Sequence, residues 1–209
     1  MFTIGFCGMS HLGLCYSAAA AEKGFNVVCF DFDSQKISKL KKNNIEIEEP
    51  DLKKLIQKNK NKIIYTDDLS VLSNCSFVYY SSDVNTDDKG KSDKKALKTN
   101  LEKLILNLEF NIPLIILSQV PPGFTRKYIK IKNNIYYQVE TLIFGEAISR
   151  ALQPERFIVG TNNSNESLPI SINKFLKTFK CPILIMNYES AELAKIAINC
   201  YLASSVSTT

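Results

Sequence analysis

No Cys-x-x-Cys pair occurs among the six cysteines, and the chain has a single histidine, His11, so nothing in the sequence suggests a zinc site. Cys7, Cys15, Cys29, Cys75, Cys181 and Cys200 stand far apart, which predicts reduced, mostly buried thiols rather than a disulfide framework. No apolar run reaches the roughly 18 residues that a membrane-spanning helix requires. The amino terminus has no basic segment ahead of an apolar one, so no leader is predicted, and the expectation is a soluble, cytoplasmic protein. Glycine and proline are sparse, eight and seven in 209 residues, while 45% of residues are hydrophobic. That composition excludes collagen, disorder and a disulfide miniprotein, and it leaves enough chain to bury a substantial core. Charge is nearly balanced: 26 Lys and Arg against 21 Asp and Glu leave +5. The lysines are scattered through segments such as Lys53-Lys54 and Lys58 to Lys62, without an Arg-aromatic grouping, which predicts solvated surface and no nucleic-acid partner.

What the sequence does contain is alternation. Apolar runs of strand length at Phe2 to Cys7, Asn26 to Phe32, Ile63 to Tyr65, Phe77 to Tyr80 and Ile112 to Leu117 are separated by segments of helical period. Helices are predicted at Leu12 to Lys23, Ser34 to Lys42, after Pro50, and at Lys94 to Leu108. Further strands are predicted near Ile135 to Tyr137, Phe157 to Gly160 and Ile183 to Met186. This order predicts an α/β fold, Rossmann-like and doubly wound, with a mostly parallel sheet covered by helices on both faces. Ser81 to Lys95, polar and containing Gly90, is expected to form a surface loop or lid. From Glu189 the chain reads as one helix that reaches Thr209 without a cap, which predicts a fragment or a natural truncation.

Gly8-Met9-Ser10-His11-Leu12-Gly13 follows the first strand and opens the first helix. A dinucleotide's pyrophosphate meets backbone N–H groups and the positive helix end at such a turn. Ser10 stands where a second glycine is usual, so either its hydroxyl bonds a phosphate oxygen or the cofactor is held less tightly. Asp31 lies 18 residues after Gly13, at the end of the second strand, from which a carboxylate accepts hydrogen bonds from the adenosine ribose. A carboxylate there also repels a 2′-phosphate, so NAD is expected over NADP. The competing possibility is a plain strand-to-helix turn with Asp33 or Ser34 capping the next helix. His11 is expected to pack or to face phosphate rather than to act as a base.

The chain resembles the amino-terminal half of the UDP-glucose/GDP-mannose 6-dehydrogenase family, NAD-dependent enzymes that oxidise a nucleotide sugar's C6 alcohol to a carboxylate. Besides the turn and Val28 to Asp33, the resemblance is carried by Glu49-Pro50, Tyr65-Thr66-Asp67, Ser118-Gln-Val-Pro-Pro-Gly123 and Glu140-Thr-Leu-Ile-Phe-Gly145 with Ala147. It continues through Pro154-Glu-Arg-Phe-Ile-Val-Gly160 and Ala191-Glu-Leu-Ala-Lys-Ile-Ala-Ile-Asn199. The resemblance implies an NAD-binding Rossmann-like domain over residues 1–187 and the truncated start of a central helical, dimerising domain over 188–209. It implies cofactor contacts at Gly8, Ser10, His11, Leu12, Gly13, Asp31, Lys36, Ser82, Ser118 and Gln119. It also implies that Glu140 works with a bound water as acid or base while Lys195 and Asn199 stabilise an oxyanion. Four residues apart on a predicted helix, Lys195 and Asn199 project from one face, as a shared target requires. A nucleotide-sugar substrate, a part in polysaccharide biosynthesis and a homodimer through the terminal helix are further implications; no metal and no membrane partner are.

Several positions depart from the family pattern. Gln119 replaces a threonine near the nicotinamide, Phe144 replaces a cofactor-side glutamate, Ile143 an arginine, and Asp83-Val84-Asn85 a Pro-Thr-Pro segment. The family's nucleophilic cysteine, from its carboxy-terminal domain, has no counterpart here, and Cys200 points about 100° away from Asn199 on a helix. The sequence therefore supports two functions: the cofactor half of a nucleotide-sugar dehydrogenase, or a noncatalytic NAD-binding module. The apolar positions Leu193, Ile196, Ala197, Cys200 and Tyr201 form a stripe suited either to a dimer or to burial against another domain.

Overall fold

A computed structural model describes residues 2–83, 85–86 and 92–207. In chain order its elements are β1 (Thr3–Cys7), α1 (His11–Glu22), β2 (Asn26–Phe30), α2 (Ser34–Lys41), α3 (Leu52–Lys58), β3 (Ile63–Thr66) and β4 (Phe77–Tyr80). A small pair, β5 (Asn85–Thr86) and β6 (Ser92–Asp93), precedes α4 (Lys94–Asn107), β7 (Leu114–Ile116) and β8 (Ile135–Gln138). The remainder is α5 (Ala147–Leu152), β9 (Phe157–Thr161), α6 (Ile170–Lys177), β10 (Ile183–Asn187) and α7 (Tyr188–Ser207).

Eight strands form one sheet in the order β10-β9-β8-β7-β4-β1-β2-β3. All neighbours are parallel except β8 and β9, which run antiparallel, so β9 and β10 reverse the direction of the rest. From β1 the chain winds outward through β2 and β3, then crosses back to β4 on the other side. The carboxyl ends of β1 and β4 therefore flank the crevice where the winding reverses, the place at which such sheets bind ligands.

Burial explains the apolar runs. Every residue of β4 and β7 is buried, as parallel strands covered on both faces must be. One face packs against α1, α2, α3, α5 and α6 through residues such as Leu14, Ile37, Leu52, Ile148 and Phe175. The other packs against α4 and the start of α7 through Leu101, Leu104, Tyr188 and Ala191. Ala18 to Ala21 are fully buried, their small side chains letting α1 lie close to its neighbours. Gly160 does the same for α7: a Cβ there would stand 3.0 Å from the Ala191 Cβ and 3.1 Å from the Tyr188 Cα.

Differences from expectation have local causes. The second strand ends at Phe30 rather than Phe32 because Asp31 and Asp33 turn their carboxylates onto backbone N–H groups, and Asp33 becomes the N-cap of α2. Helices α5 and α6 were not legible: α5 has six residues, and Ile170-Ser-Ile-Asn alternates like a strand although its buried stripe is Ile172, Phe175 and Leu176. The loop expected at Ser81 to Lys95 contains β5, β6 and the start of α4; Val84 and Gly90 lie outside the described residues. The lysines are not all solvated. Lys132 is buried and donates to the Glu109 and Phe110 carbonyls, and Lys195 is buried as well. Among the described residues no helix is long and apolar enough to cross a membrane.

Candidate functional site

The turn after β1 is built on two glycines. Gly8 has φ +105°, a conformation that L side chains rarely adopt, and a Cβ there would lie 2.4 Å from the Ser82 Oγ. A Cβ on Gly13 would stand 1.9 Å from the Gly8 carbonyl oxygen, so the helix can meet the turn only where no side chain intervenes. Ser10 is the N-cap of α1: its hydroxyl accepts from the Gly13 N–H and donates to the Ser81 carbonyl at 2.7 Å. The hydroxyl is thus turned into the turn itself. Asp83 stands beside the helix start, with His11 and Leu12. The end of β1 thus leads into a helix N-terminus, as a pyrophosphate-binding turn requires.

Asp31, at the end of β2, faces the same turn. One carboxylate oxygen accepts from Met9 N at 2.7 Å and from Lys36 Nζ at 2.9 Å, and the other accepts from Asp33 N at 3.0 Å. Its side chain is thereby fixed at the rim where an adenosine ribose would lie, with Lys36 beside it. On the far side of the turn, the buried Ser118 donates its hydroxyl to the Ser82 carbonyl, tying the end of β7 to the end of β4. Gln119 follows it, exposed in the crevice.

The structure brings in a residue to which the sequence assigned no role. Glu49 is buried and joins three separate segments: it pairs with His11 Nε2 at 2.9 Å, and it accepts from Gly145 N at 3.1 Å and Ala147 N at 2.9 Å. Burial acts to raise its carboxyl, but these three bonds outweigh it and hold the group below the ordinary glutamate value. In the sequence Glu49 figured only in the Glu49-Pro50 block of the family resemblance, because its partners are 38, 96 and 98 residues away. His11 is thus engaged, and its ring lies 4.3 Å from that of Phe144.

A cavity of about 570 Å³ opens on this side of the crevice. His11, Leu12, Asp83 and Lys94 line one part of it, with Gln119 to Pro121 and with Glu140, Leu142, Phe144, Lys195 and Ile196. Glu140, just past β8, and Lys195, on α7, form an ion pair of 2.9 Å with little solvent contact. The second Glu140 oxygen accepts from the Leu142 N–H. Asn199 stands one turn beyond Lys195, half-buried, outside the residues that line the cavity. On the turn before Lys195, the fully buried Glu192 accepts from Gly123 N and from Thr125 N at 2.8 Å. Arg126 pairs with Glu189 in the same region, so the segment from Pro121 to Tyr128 is fastened to the start of α7.

Four of the six cysteines are buried as expected; Cys181 is half-buried and Cys200 exposed. Among the described residues no group of His, Cys, Asp and Glu is arranged to hold a metal ion.

Comparison with known proteins bears on the family and the fold. The profile of the UDP-glucose/GDP-mannose dehydrogenase family, NAD binding domain, matches residues 2–179. The chain is 31% identical to a UDP-glucose 6-dehydrogenase of Rickettsia typhi, covering 97% of this chain and 49% of the relative. It is 30% identical to an uncharacterized protein of Methanocaldococcus jannaschii, covering 98% of this chain and 24% of that protein. Among solved structures, a GDP-mannose dehydrogenase from Pseudomonas aeruginosa superposes with TM-score 0.84 at 18% identity, over 97% of this chain and 50% of the other. A UDP-glucose dehydrogenase from Pyrobaculum islandicum gives 0.82 at 18% identity, with the same coverage of 97% and 50%. These structures share the fold. The chain spans half or less of the length of each of these proteins. With the profile matching most of its residues, the chain belongs to the UDP-glucose/GDP-mannose dehydrogenase family and carries that family's NAD-binding domain.

Proposed function

We propose that this chain is the cofactor-binding and proton-handling half of a nucleotide-sugar 6-dehydrogenase, acting on a UDP- or GDP-linked sugar. The observation that supports it best is the Glu140–Lys195 pair, 2.9 Å apart, on the wall of a cavity that begins at the phosphate turn. Gly8, Ser10, Leu12 and Gly13 shape the pyrophosphate seat, and Asp31 with Lys36 holds the adenosine ribose. NAD, when bound, supplies the hydride acceptor. Glu140, acting through a water, takes the proton of the sugar C6 hydroxyl as its carbon-bound hydrogen leaves as hydride, so that an alcohol becomes an aldehyde. The Lys195 ammonium stands against the oxygen as negative charge develops there, and Asn199 offers an amide from the same helix. Such a preorganised donor contributes roughly 10² to 10³ in rate.

The two-domain division is part of the same proposal: residues 1–187 hold cofactor, and 188–209 begin a helical domain. Leu193 and Tyr201 on α7, 54% and 73% exposed, suit a second copy of the chain in a homodimer. Absorbance at 340 nm, with NAD and a panel of UDP- and GDP-sugars, tests the activity on the natively expressed protein. Turnover is expected, and Lys195→Ala should lower kcat by about 10² or more while NAD affinity holds. Unchanged kcat in that variant would remove Lys195 from the mechanism, and a silent panel alongside retained NAD binding would make the chain a noncatalytic module.

A further inference from the structure

We propose that the exposed ring of Phe144 is the seat of the cofactor's nicotinamide and selects its oxidised, cationic form. This rests on the assignment of the crevice to NAD and adds a residue for the half of the cofactor that reacts. Asp31 marks the adenosine end and the Gly8–Gly13 turn marks the middle, so the opposite end of the dinucleotide must extend toward the ends of β4, β7 and β8. The 570 Å³ cavity lies there, and among the described residues its lining contains two aromatic side chains, His11 and Phe144.

Of those two, only one is free to stack. His11 is bound through Nε2 to Glu49, and its ring is backed by Phe144 at 4.3 Å with the planes 34° apart. Phe144 is 79% exposed, a large apolar ring left in contact with solvent at the cavity wall. Its backbone is nevertheless not loose. Glu49 accepts from the N–H of Gly145, next in sequence, and from that of Ala147, so the exposed ring rides on a segment anchored by a buried carboxylate. An exposed ring on a fixed backbone, beside a reacting acid and ammonium, is a platform for a flat partner. Oxidised nicotinamide is a flat pyridinium cation, attracted to an aromatic face by the ring quadrupole. The reduced ring is neutral and puckers more readily, so it gains less from the same face. A seat of this kind holds the substrate form of the cofactor and lets the product form go.

Titration calorimetry of the 209-residue chain with NAD⁺, NADH and ADP-ribose, which has no nicotinamide, separates the possibilities. Phe144→Ala should weaken NAD⁺ by about three- to tenfold and NADH by less, and should leave ADP-ribose unchanged. Because the ring is exposed, its loss should leave the unfolding temperature unchanged. Phe144→Trp should restore NAD⁺ affinity. Since the chain has no tryptophan, the variant also carries a single indole whose emission NAD⁺ should quench far more than ADP-ribose does. Equal loss of NAD⁺ and ADP-ribose affinity in Phe144→Ala, no loss of either, or equal quenching by both ligands would overturn the assignment. If the unaltered chain binds neither NAD⁺ nor ADP-ribose, the fault lies with the cofactor assignment of the whole crevice, and the seat falls with it.

Discussion

The two sides of the crevice are made of different material. Toward β1 and β2 the crevice is walled by main chain, packed so closely at Gly8 and Gly13 that neither position has room for a Cβ. Toward β8 and α7 it is lined by long side chains, an acid and an ammonium contributed by elements 55 residues apart in sequence. A turn made of backbone is held by sterics, whereas converging side chains need loops that stay where they are. Here two buried carboxylates supply that constraint in the same way: Glu49 accepts from Gly145 and Ala147, and Glu192 accepts from Gly123 and Thr125. Each holds two N–H groups of a segment far away in the chain. The backbone side should therefore break through volume, and the side-chain side through loss of an acceptor.

The largest expected effect is Gly13→Ala. Its Cβ would sit 1.9 Å from a backbone oxygen, a contact that no rotamer change relieves, so either α1 moves off the turn or the fold loses roughly 3 kcal/mol, the upper end of ordinary overpacking. Urea unfolding together with NAD calorimetry reads both consequences, and loss of NAD binding is expected even where the chain still folds. Native stability with native NAD affinity would mean that the turn and the helix do not meet as described. On the other side, Glu192→Ala leaves the Gly123 and Thr125 N–H groups without their acceptor and should destabilise by about 2 to 3 kcal/mol. Glu192→Gln keeps one acceptor oxygen and should recover part of that. Neither variant should weaken ADP-ribose, whose binding groups lie across the crevice; a loss there would show that the two sides are not independent.

The same division decides how much could be read in advance. The glycine turn after β1 was legible because glycine spacing, a following helix and an acid at the end of β2 are all local, and the sheet was legible because doubly covered strands are apolar throughout. Lys195 and Asn199 were legible as a same-face pair, yet only Lys195 lines the cavity. Nothing in the spacing reveals that Lys195 pairs with Glu140, or that Glu49 reaches Ala147, because those contacts exist only once the sheet has formed. Lys132 was hidden for a related reason: in sequence it belongs to a lysine-rich stretch, but its ammonium ends on two carbonyls at the end of α4. The reversal at β9 also has no local mark, since a strand's direction depends on the crossing before it.

The last effect concerns alkaline stability, and it too divides by region. Cys7, Cys15, Cys29 and Cys75 all lie in or beside β1, α1, β2 and the entry to β4, and burial pushes each thiol up, to about 12 for Cys15, Cys29 and Cys75. In the unfolded chain a thiol loses its proton near pH 8.5, at about that value for each of the four. Above that point the unfolded state binds fewer protons than the folded one, so stability falls as pH rises, by up to about 1.4 kcal/mol per pH unit for each thiol. Lys132, near β7 and β8, acts in the opposite direction: burial pushes its ammonium down to about 8, so the unfolded state binds the extra proton and stability gains as pH rises from there toward about 10.4. Four thiols against one ammonium give a net fall. Denaturant unfolding at half-unit steps from pH 8 to 10.5 should show that fall, made shallower by Cys29→Ala and made steeper by Lys132→Met. An identical slope in Cys29→Ala would mean that the interior beside the glycine turn admits water, and that the backbone side of the crevice is looser than its packing implies.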